Sequence, residues 1–533
     1  MPHLLAGLVL QYRASILSSV GIGAGFLTFC IAIQFFSGAW HAAFTAYPDE
    51  PAHFVGAVMV RDWLVSGQWS TPFGFARHYY EHYPYFALGY WPPLFSLVTG
   101  LCMLIAGVGR QQALLIPAIC AAGTGLLICH FVRQRAGIVI GLCAGILYLS
   151  LSEVCRWVSA VMVDHMTAFL CLAVAACLVR YLERPTLWRG ILCAAVCSCA
   201  ILSKYSAAYV AVLPVLALVL LRRFELLRSP GFLVQLLVIA VVAGPWAFWT
   251  KGLSFYGLPS APSVTTLARV WRFVAATFGL FPPPIMALVI LGLAVLLFRP
   301  ILWREDVVVL CLLIAGHLGL LIYSPVKMAE PRYLLAPAAA LLVMSFAGWS
   351  QVRELWVPEG RWGNVVRLAV AGLTLIFAFS QLSRLTPAPR NQIGDIVALI
   401  VSDPARAAEL VVVPPLFEGP IVAEFVAQTR NRPDHSLLRP SKVLSTSDWF
   451  GRKYRSHYAS SEEMMMYFEK HQVSLIIWNE CPAARTLPHA RVMGEMLKDY
   501  APAWRRVMSL AAADRELPDW SVYEYAGEPL PTN

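Results

Sequence analysis

Apolar runs of about 20 residues dominate the first 384 positions. Twelve recur there, at 15–36, 93–108, 112–132, 137–152, 161–182, 188–203, 205–221, 232–250, 282–298, 306–324, 332–350 and 364–382. A helix needs about 20 consecutive apolar residues to cross the hydrocarbon layer of a bilayer. So many such runs leave one fold class open, a polytopic α-helical membrane protein. Composition agrees: 58% of the 533 residues are hydrophobic and 14% are charged, against about 25% charged in soluble domains. Soluble domains of this total length would need far more polar surface. A soluble enzyme, a disordered chain and a nucleic-acid module are therefore excluded as readings of the whole chain. The net charge of +10 fits the basic residues that flank spans on the cytoplasmic side, and implies membrane lipids rather than nucleic acid as partners.

Basic clusters orient the chain. They are Arg133/Arg135, Arg180/Arg184/Arg189, Arg222/Arg223/Arg228, Arg299/Arg304 and Arg353/Arg361/Arg367. From residue 161 onward they fall in every second loop, as one cytoplasmic face requires. Keeping Arg133/Arg135 on that face means that one early segment does not cross. The shortest, 93–108, begins at Pro92-Pro93 and reads as a half-inserted or interfacial helix. This predicts about eleven transmembrane helices, a cytoplasmic N-terminus and an outer C-terminus. Residues 1–36 read as the first span and not as a cleaved leader.

After residue 384 polar residues and helix–strand alternation take over. The expected division is a transmembrane domain, 1–383, which includes a long outer loop at 37–92, and a soluble α/β domain, 384–533. In that second domain Glu409–Pro414, Ser441–Ser445 and Val473–Trp478 read as strands. Residues 419–430, 461–470 and 489–500 read as helices. No GxGxxG, phosphate loop or nucleophile elbow occurs there.

Four groups of residues could carry chemistry. In Tyr47-Pro48-Asp49-Glu50-Pro51-Ala52-His53, two carboxylates open an amphipathic helix of the outer loop, running from Asp49 to Trp63. Helix capping explains Asp49. Asp49 and His53 also share a helix face, which suits an acid–base pair, and Glu50 with His53 offers ligands to a divalent ion. The amphipathic pattern lets this helix lie in the membrane interface. Asp164 opens the span 161–182, where an ionisable residue is costly; an interfacial carboxylate is the plain alternative. Lys204, Lys327 and Arg332, with Tyr333, lie at outer turns against the positive-inside trend. They suit a lipid phosphate, while a Glu330–Arg332 staple would also account for part of the set. The aromatic stretches from His78 to Tyr85 and from Gly89 to Phe95 fit an interfacial belt. Glu81, His82 and Trp91 within them could also meet a sugar.

In this order the motifs resemble the C-type superfamily of integral-membrane glycosyltransferases, GT-C. Within it they are similar to the bacterial lipid A aminoarabinose transferases, the galacturonic acid transferases and the protein O-mannosyltransferases. The marks are Asp49-Glu50, Trp91-Pro-Pro-Leu94, Asp164, Lys204 in Leu-Ser-Lys-Tyr, and Arg332-Tyr-Leu-Leu335. The resemblance covers about residues 15–350. It implies a polyprenyl-phosphate-linked sugar donor and an envelope acceptor: lipid A, a core glycan, a polymer or a protein. Transfer, with inversion, would take place at the outer face of a bacterial inner membrane, which makes the C-terminal domain periplasmic. By position Asp49 matches the acid that activates the acceptor, Glu50 and Asp164 match supporting acids, and Lys204 and Arg332 face the donor phosphate. No paired DxD occurs and His165-Met166 follows Asp164, so no cofactor is demanded; a divalent metal stays an option. The competing readings are a transporter or lipid flippase and an envelope scaffold.

Overall fold

The structure is a computed structural model. It describes residues 2–44, 47–86, 89–254, 266–298, 301–323, 330–356, 361–385, 392–403, 406, 409–429, 435–447, 453–479, 481–482, 486–510 and 519–527. Lys327 lies outside the described residues. The chain forms two compact units. One comprises Met1–Trp40, Gly89–Phe95 and Leu114–Pro387, the other His41–Leu88, Ser96–Ala113 and Ala388–Asn533.

The first unit is helical. Among the described residues, six helices are long and apolar enough to cross a membrane: Ser18–Phe36, Arg110–Ala136, Asp164–Glu183, Pro230–Thr250, Arg304–Ile322 and Pro331–Gln351. Two bent pairs raise the number to eight: Ile138–Leu149 with Ser152–Val158, bent by 67°, and Val270–Gly279 with Pro283–Phe298, bent by 118°. The sequence suggested eleven, and local breaks account for the difference. Pro282, Pro283 and Pro284 supply no backbone N–H at the sharper bend. Lys204 is extended (φ −157°, ψ 132°) and separates Leu187–Ser203 from the 3-10 turn that starts at Tyr205. Leu94–Ala106, Leu187–Ser203, Tyr205–Leu220 and Arg367–Leu382 remain as shorter apolar helices.

Small residues let these helices approach closely. A side chain at Gly348 would strike the backbone of Gly292, and one at Gly190 that of Gly231. Ala336, Ala338, Ala339 and Ala340 are buried along Leu335–Trp356. Where Arg304–Tyr323 begins, Asp306 accepts a hydrogen bond from the Trp303 N–H (2.7 Å) and pairs with half-buried Arg135. The Arg135 guanidinium lies 4.1 Å from the Trp303 ring centre.

The second unit is α/β. Its described strands are β1 Leu410–Val412, β2 Ser436–Leu438, β3 Ser445–Thr446, β4 Arg455–Ser456, β5 Leu475–Asn479, β6 Trp504–Leu510 and β7 Trp520–Tyr525. Five of them form one sheet in the order β2-β1-β5-β7-β6, with β1 parallel to β2 and β5 and the β5–β7 and β7–β6 pairs antiparallel. Central β5 is buried along its whole length, which is why it reads as an unbroken apolar run. Met464, Phe468, Met493, Met496 and Trp504 pack in the core beside it.

Three expectations need correction. Ser441–Ser445 is mostly the helical turn Pro440–Val443 and not a strand; Pro440 sits where a helix tolerates the missing N–H. Residues 41–88 group with the tail and not with the spanning helices, and the helix Asp49–Ser66 packs along Glu418–Gln428. Every residue of that helix from Glu50 to Met59 is buried. It is therefore enclosed by protein instead of lying with one face in the bilayer interface.

Candidate functional site

In the first unit three distant segments bring one carboxylate and two cations together. Asp164 is the first residue of the helix Asp164–Glu183. Lys204 follows the last residue of Leu187–Ser203, and Arg332 sits in the 3-10 turn Pro331–Leu334 that leads into Leu335–Trp356. A carboxylate at a helix start and a cation at a helix end both suit the helix dipole. Lys204 Nζ donates to Asp164 Oδ1 at 2.6 Å, and Arg332 Nη1 lies 3.8 Å from Asp164 Oδ2. All three residues are buried: Asp164 is 3% exposed, Lys204 9% and Arg332 4%.

Aromatic rings complete the cluster. Lys204 Nζ is 4.1 Å from the centre of the Tyr333 ring, and the Arg332 guanidinium is 5.3 Å from that of Trp157. Arg332 Nε donates to Glu330 Oε2 at 2.5 Å, so the staple considered from sequence also forms. Asp164, Thr167, Lys204, Ser206, Arg332 and Tyr333 line a small cavity. Buried ions are tolerated only when paired. Asp164 bridges both cations, and a bound anion could share them. The sequence-selected residues Asp164, Lys204, Arg332 and Tyr333 thus meet in one place. Trp91, in the same unit, sets its ring edge-on to Tyr90 at 5.6 Å.

In the second unit the two adjacent acids have different surroundings. Pro48 holds the N-cap position, so Asp49 is the first helical residue and not the cap. Asp49 is half-buried. Glu50 is fully buried and accepts a hydrogen bond from Arg110 Nη2 at 2.7 Å. Arg110 also lies 5.8 Å from the Phe44 ring centre and is one of the charges acting on Glu424, whose carboxyl is pushed up chiefly by burial. A carboxylate committed to a buried arginine is a poor metal ligand, so the pairing of Glu50 with His53 around a divalent ion fits this arrangement badly. His53 is buried on the same helix. Among the described residues no group of three His, Cys, Asp or Glu is placed to hold a metal ion.

Glu81 and His82 end the helix Pro72–His82, and Glu81 is exposed. Glu81 Oε2 lies 3.6 Å from His78 Nδ1, and the His78 and His82 rings are 4.7 Å apart. The structure gathers these residues on one helix surface.

Sequence reasoning missed Arg110, Glu418 and Arg439. Glu418 is buried at the start of Glu418–Gln428. It accepts from Ser441 N (2.7 Å), Ser441 Oγ (2.7 Å) and Arg439 Nε (2.8 Å). Arg439 Nη1 donates to the Pro84 carbonyl at 2.8 Å, and its guanidinium covers the Tyr85 ring 4.3 Å from the centre. The only sequence signal was an acid–glycine–proline helix start at Glu418-Gly419-Pro420.

The sequence profile of the dolichyl-phosphate-mannose-protein mannosyltransferase family matches residues 91–249. No curated protein matches the chain. Among solved structures, ArnT from Cupriavidus metallidurans bound to undecaprenyl phosphate is similar, with a TM-score of 0.59 and 15% identity over 97% of this chain and 99% of that one. Its apo form gives a TM-score of 0.58 at 14% identity, over 97% and 98%. The archaeal oligosaccharyltransferase AglB from Archaeoglobus fulgidus, in complex with an inhibitory peptide and a dolichol-phosphate, gives 0.52 at 11% identity, over 97% of this chain and 75% of that one. The fold is shared almost end to end with ArnT, and the profile match falls on the segment that carries Trp91, Asp164 and Lys204. The chain thus shares its fold over most of its length with the ArnT structures, and its residues 91–249 match the mannosyltransferase profile.

Proposed function

We propose that the chain transfers a sugar from a polyprenyl-phosphate-linked donor to an envelope acceptor at the outer face of a bacterial inner membrane, with inversion at the anomeric carbon. The observation that carries this reading is the buried Asp164–Lys204–Arg332 cluster in a largely apolar helical unit. Two cations held there suit a lipid-linked phosphate, Lys204 as a point charge and Arg332 as a fork. The solved ArnT complex contains undecaprenyl phosphate, which supports that ligand class.

The chemistry divides between groups. The acceptor hydroxyl loses its proton to a base, its oxygen bonds to the anomeric carbon, and the bond from that carbon to the donor phosphate breaks. Asp49 is the candidate base. Lys204 and Arg332 stabilise the charge that develops on the departing phosphate without reorganising. Asp164 orients them and is a positioning residue in this scheme. The scheme does not require a metal, because Lys204 and Arg332 would meet the charge of the phosphate themselves. A transporter reading would favour an acid at mid-depth in the membrane. Asp164 instead begins its helix, which speaks against that rival.

Binding of undecaprenyl phosphate to the purified full chain tests the reading. Lys204→Gln and Arg332→Gln are each expected to weaken binding about tenfold or more, since a hydrogen bond to a charged group contributes about 1.5–3 kcal/mol. Unchanged affinity in both variants would remove the phosphate site.

A further inference from the structure

In the second unit the antiparallel end of the sheet carries a row of aromatic rings on one face. Side chains alternate across a strand, so every second residue shares a face. Across β6 and β7, Trp504 stands opposite Tyr525 and Arg506 opposite Tyr523. The Trp504 and Tyr525 rings are 5.2 Å apart. Trp504 is buried in the core, and both tyrosines are half-buried. Alternation assigns Arg505 to the opposite face, where it pairs with Glu524 at 3.9 Å.

Two clefts meet at this row and share Trp504 as a wall. The first, of about 690 Å³, is bordered by Lys498, Arg505, Arg506 and Tyr523. Glu524 offsets Arg505, so the charge of this cleft comes chiefly from Lys498 and Arg506. The second, of about 300 Å³, is bordered by Glu469, Gln472, Ser474 and Tyr525. Glu469 Oε1 accepts from the Tyr525 hydroxyl at 2.9 Å, and a carboxylate has lone pairs for further donors. Gln472 follows the helix Ser461–Lys470 in a left-handed conformation, with φ +54°. Glycine is the usual residue in that conformation at a helix end. Here a glutamine takes it, and this exposed residue borders the cleft.

We propose that this face of the β6–β7 ribbon binds an anionic sugar chain, one that carries a carboxylate or a phosphate beside its hydroxyls. The site does not depend on the transfer reading. Its chemistry is divided between the two clefts. Lys498 and Arg506 suit charge-assisted hydrogen bonds to an anionic group. Glu469, on the other side of Trp504, repels a bare anion and accepts hydrogen bonds from hydroxyls. A ligand that satisfies both clefts therefore bears negative charge at one end and hydroxyl donors at the other. The tyrosine rings between them give flat apolar surface with polar edges, which matches the C–H face of a pyranose. Aromatic walls with a few placed polar groups are the ordinary make-up of a ligand site. The left-handed Gln472 adds a separate sign, because backbone strain of this kind collects at ligand clamps.

Calorimetric titration of the purified full-length chain tests the proposal with four probes. Trigalacturonic acid supplies carboxylates on a sugar chain and glucose 6-phosphate supplies a sugar phosphate. At least one of the two is expected to bind, and the tighter one names the anionic group. Maltotriose and inorganic phosphate each hold half of the required chemistry and are expected to bind about tenfold more weakly or less. Arg506→Gln is expected to weaken the tighter probe about tenfold or more, as for a hydrogen bond to a charged group. Gln472→Gly is expected to weaken it about two- to tenfold, while its unfolding midpoint stays level or rises, since glycine takes the left-handed conformation without strain. Arg491→Gln, at an exposed arginine of the helix that carries Lys498, controls for net charge and is expected to leave the affinity unchanged. Lys204→Gln, in the first unit, is expected to leave it unchanged as well. No binding of either anionic sugar would overturn the proposal, as would equal binding of maltotriose or inorganic phosphate. Unchanged affinity in Arg506→Gln and Gln472→Gly, or an equal loss in Arg491→Gln, would also overturn it. A loss in Lys204→Gln would place the probe at the Asp164–Lys204–Arg332 cluster and overturn it in favour of that site.

Discussion

Asparagine at position 49 is expected to lower the rate of sugar transfer by about 10²–10⁴-fold, the range for loss of a positioned general base. The substitution keeps size and shape and removes the negative charge and with it the ability to accept a proton. Asp49 is half-buried at the first position of its helix, so the variant loses part of a favourable dipole interaction, about 0.3–1 kcal/mol, and is expected to fold. Its neighbour provides the contrast. Glu50 is enclosed and paired with Arg110 at 2.7 Å, an ion pair that ties the start of helix Asp49–Ser66 to the start of Arg110–Ala136. The sequence could not separate the two acids, because adjacent carboxylates in one motif look alike until burial is known. Single-turnover rates on matched amounts of protein check the expectation. Normal turnover by Asp49→Asn would contradict it.

Alanine at position 164 is expected to produce the largest loss of stability, about 3–5 kcal/mol, the usual cost of removing one partner of a buried ion pair. Asp164 bridges Lys204 at 2.6 Å and Arg332 at 3.8 Å. Its removal leaves two cations in a buried site with Glu330, which pairs with Arg332 and is about a third exposed. The same argument gives a second observable. An anion that binds the freed cations stabilises the folded chain in proportion to its occupancy. Undecaprenyl phosphate is therefore expected to raise the unfolding midpoint of Asp164→Ala more than that of the wild type. Equal stability of variant and wild type would show that the cluster does not bear on the fold as the distances imply.

Ionisable residues in apolar sequence make the cluster partly legible from residue order alone. Asp164, Lys204 and Arg332 stand out because burying a charge is costly. Their meeting was not legible, since Lys204 lies 40 residues from Asp164 and Arg332 much further along the chain. Arg110, Glu418 and Arg439 were invisible for the opposite reason. They stand at turns and helix starts, where a charge is ordinarily a solvated one, and only packing shows that they are enclosed. The long apolar helices were legible from run length. The breaks at Ser150-Leu151 and Lys204 were not, because they interrupt runs whose average hydropathy stays high. The enclosure of helix Asp49–Ser66 was hidden because its cover comes from a segment more than 350 residues away, Glu418–Gln428.

Mass spectrometry of both sides of the proposed reaction tests the central claim most directly. Envelope lipids and glycans, together with the pool of polyprenyl-phosphate-linked sugars, are compared in cells with and without the gene. Loss of the gene is expected to remove one sugar mass from an envelope species and to raise the matching polyprenyl-phosphate-linked sugar, and the wild-type chain is expected to reverse both changes. An envelope and a lipid-linked pool that stay the same without the gene would contradict sugar transfer from such a donor.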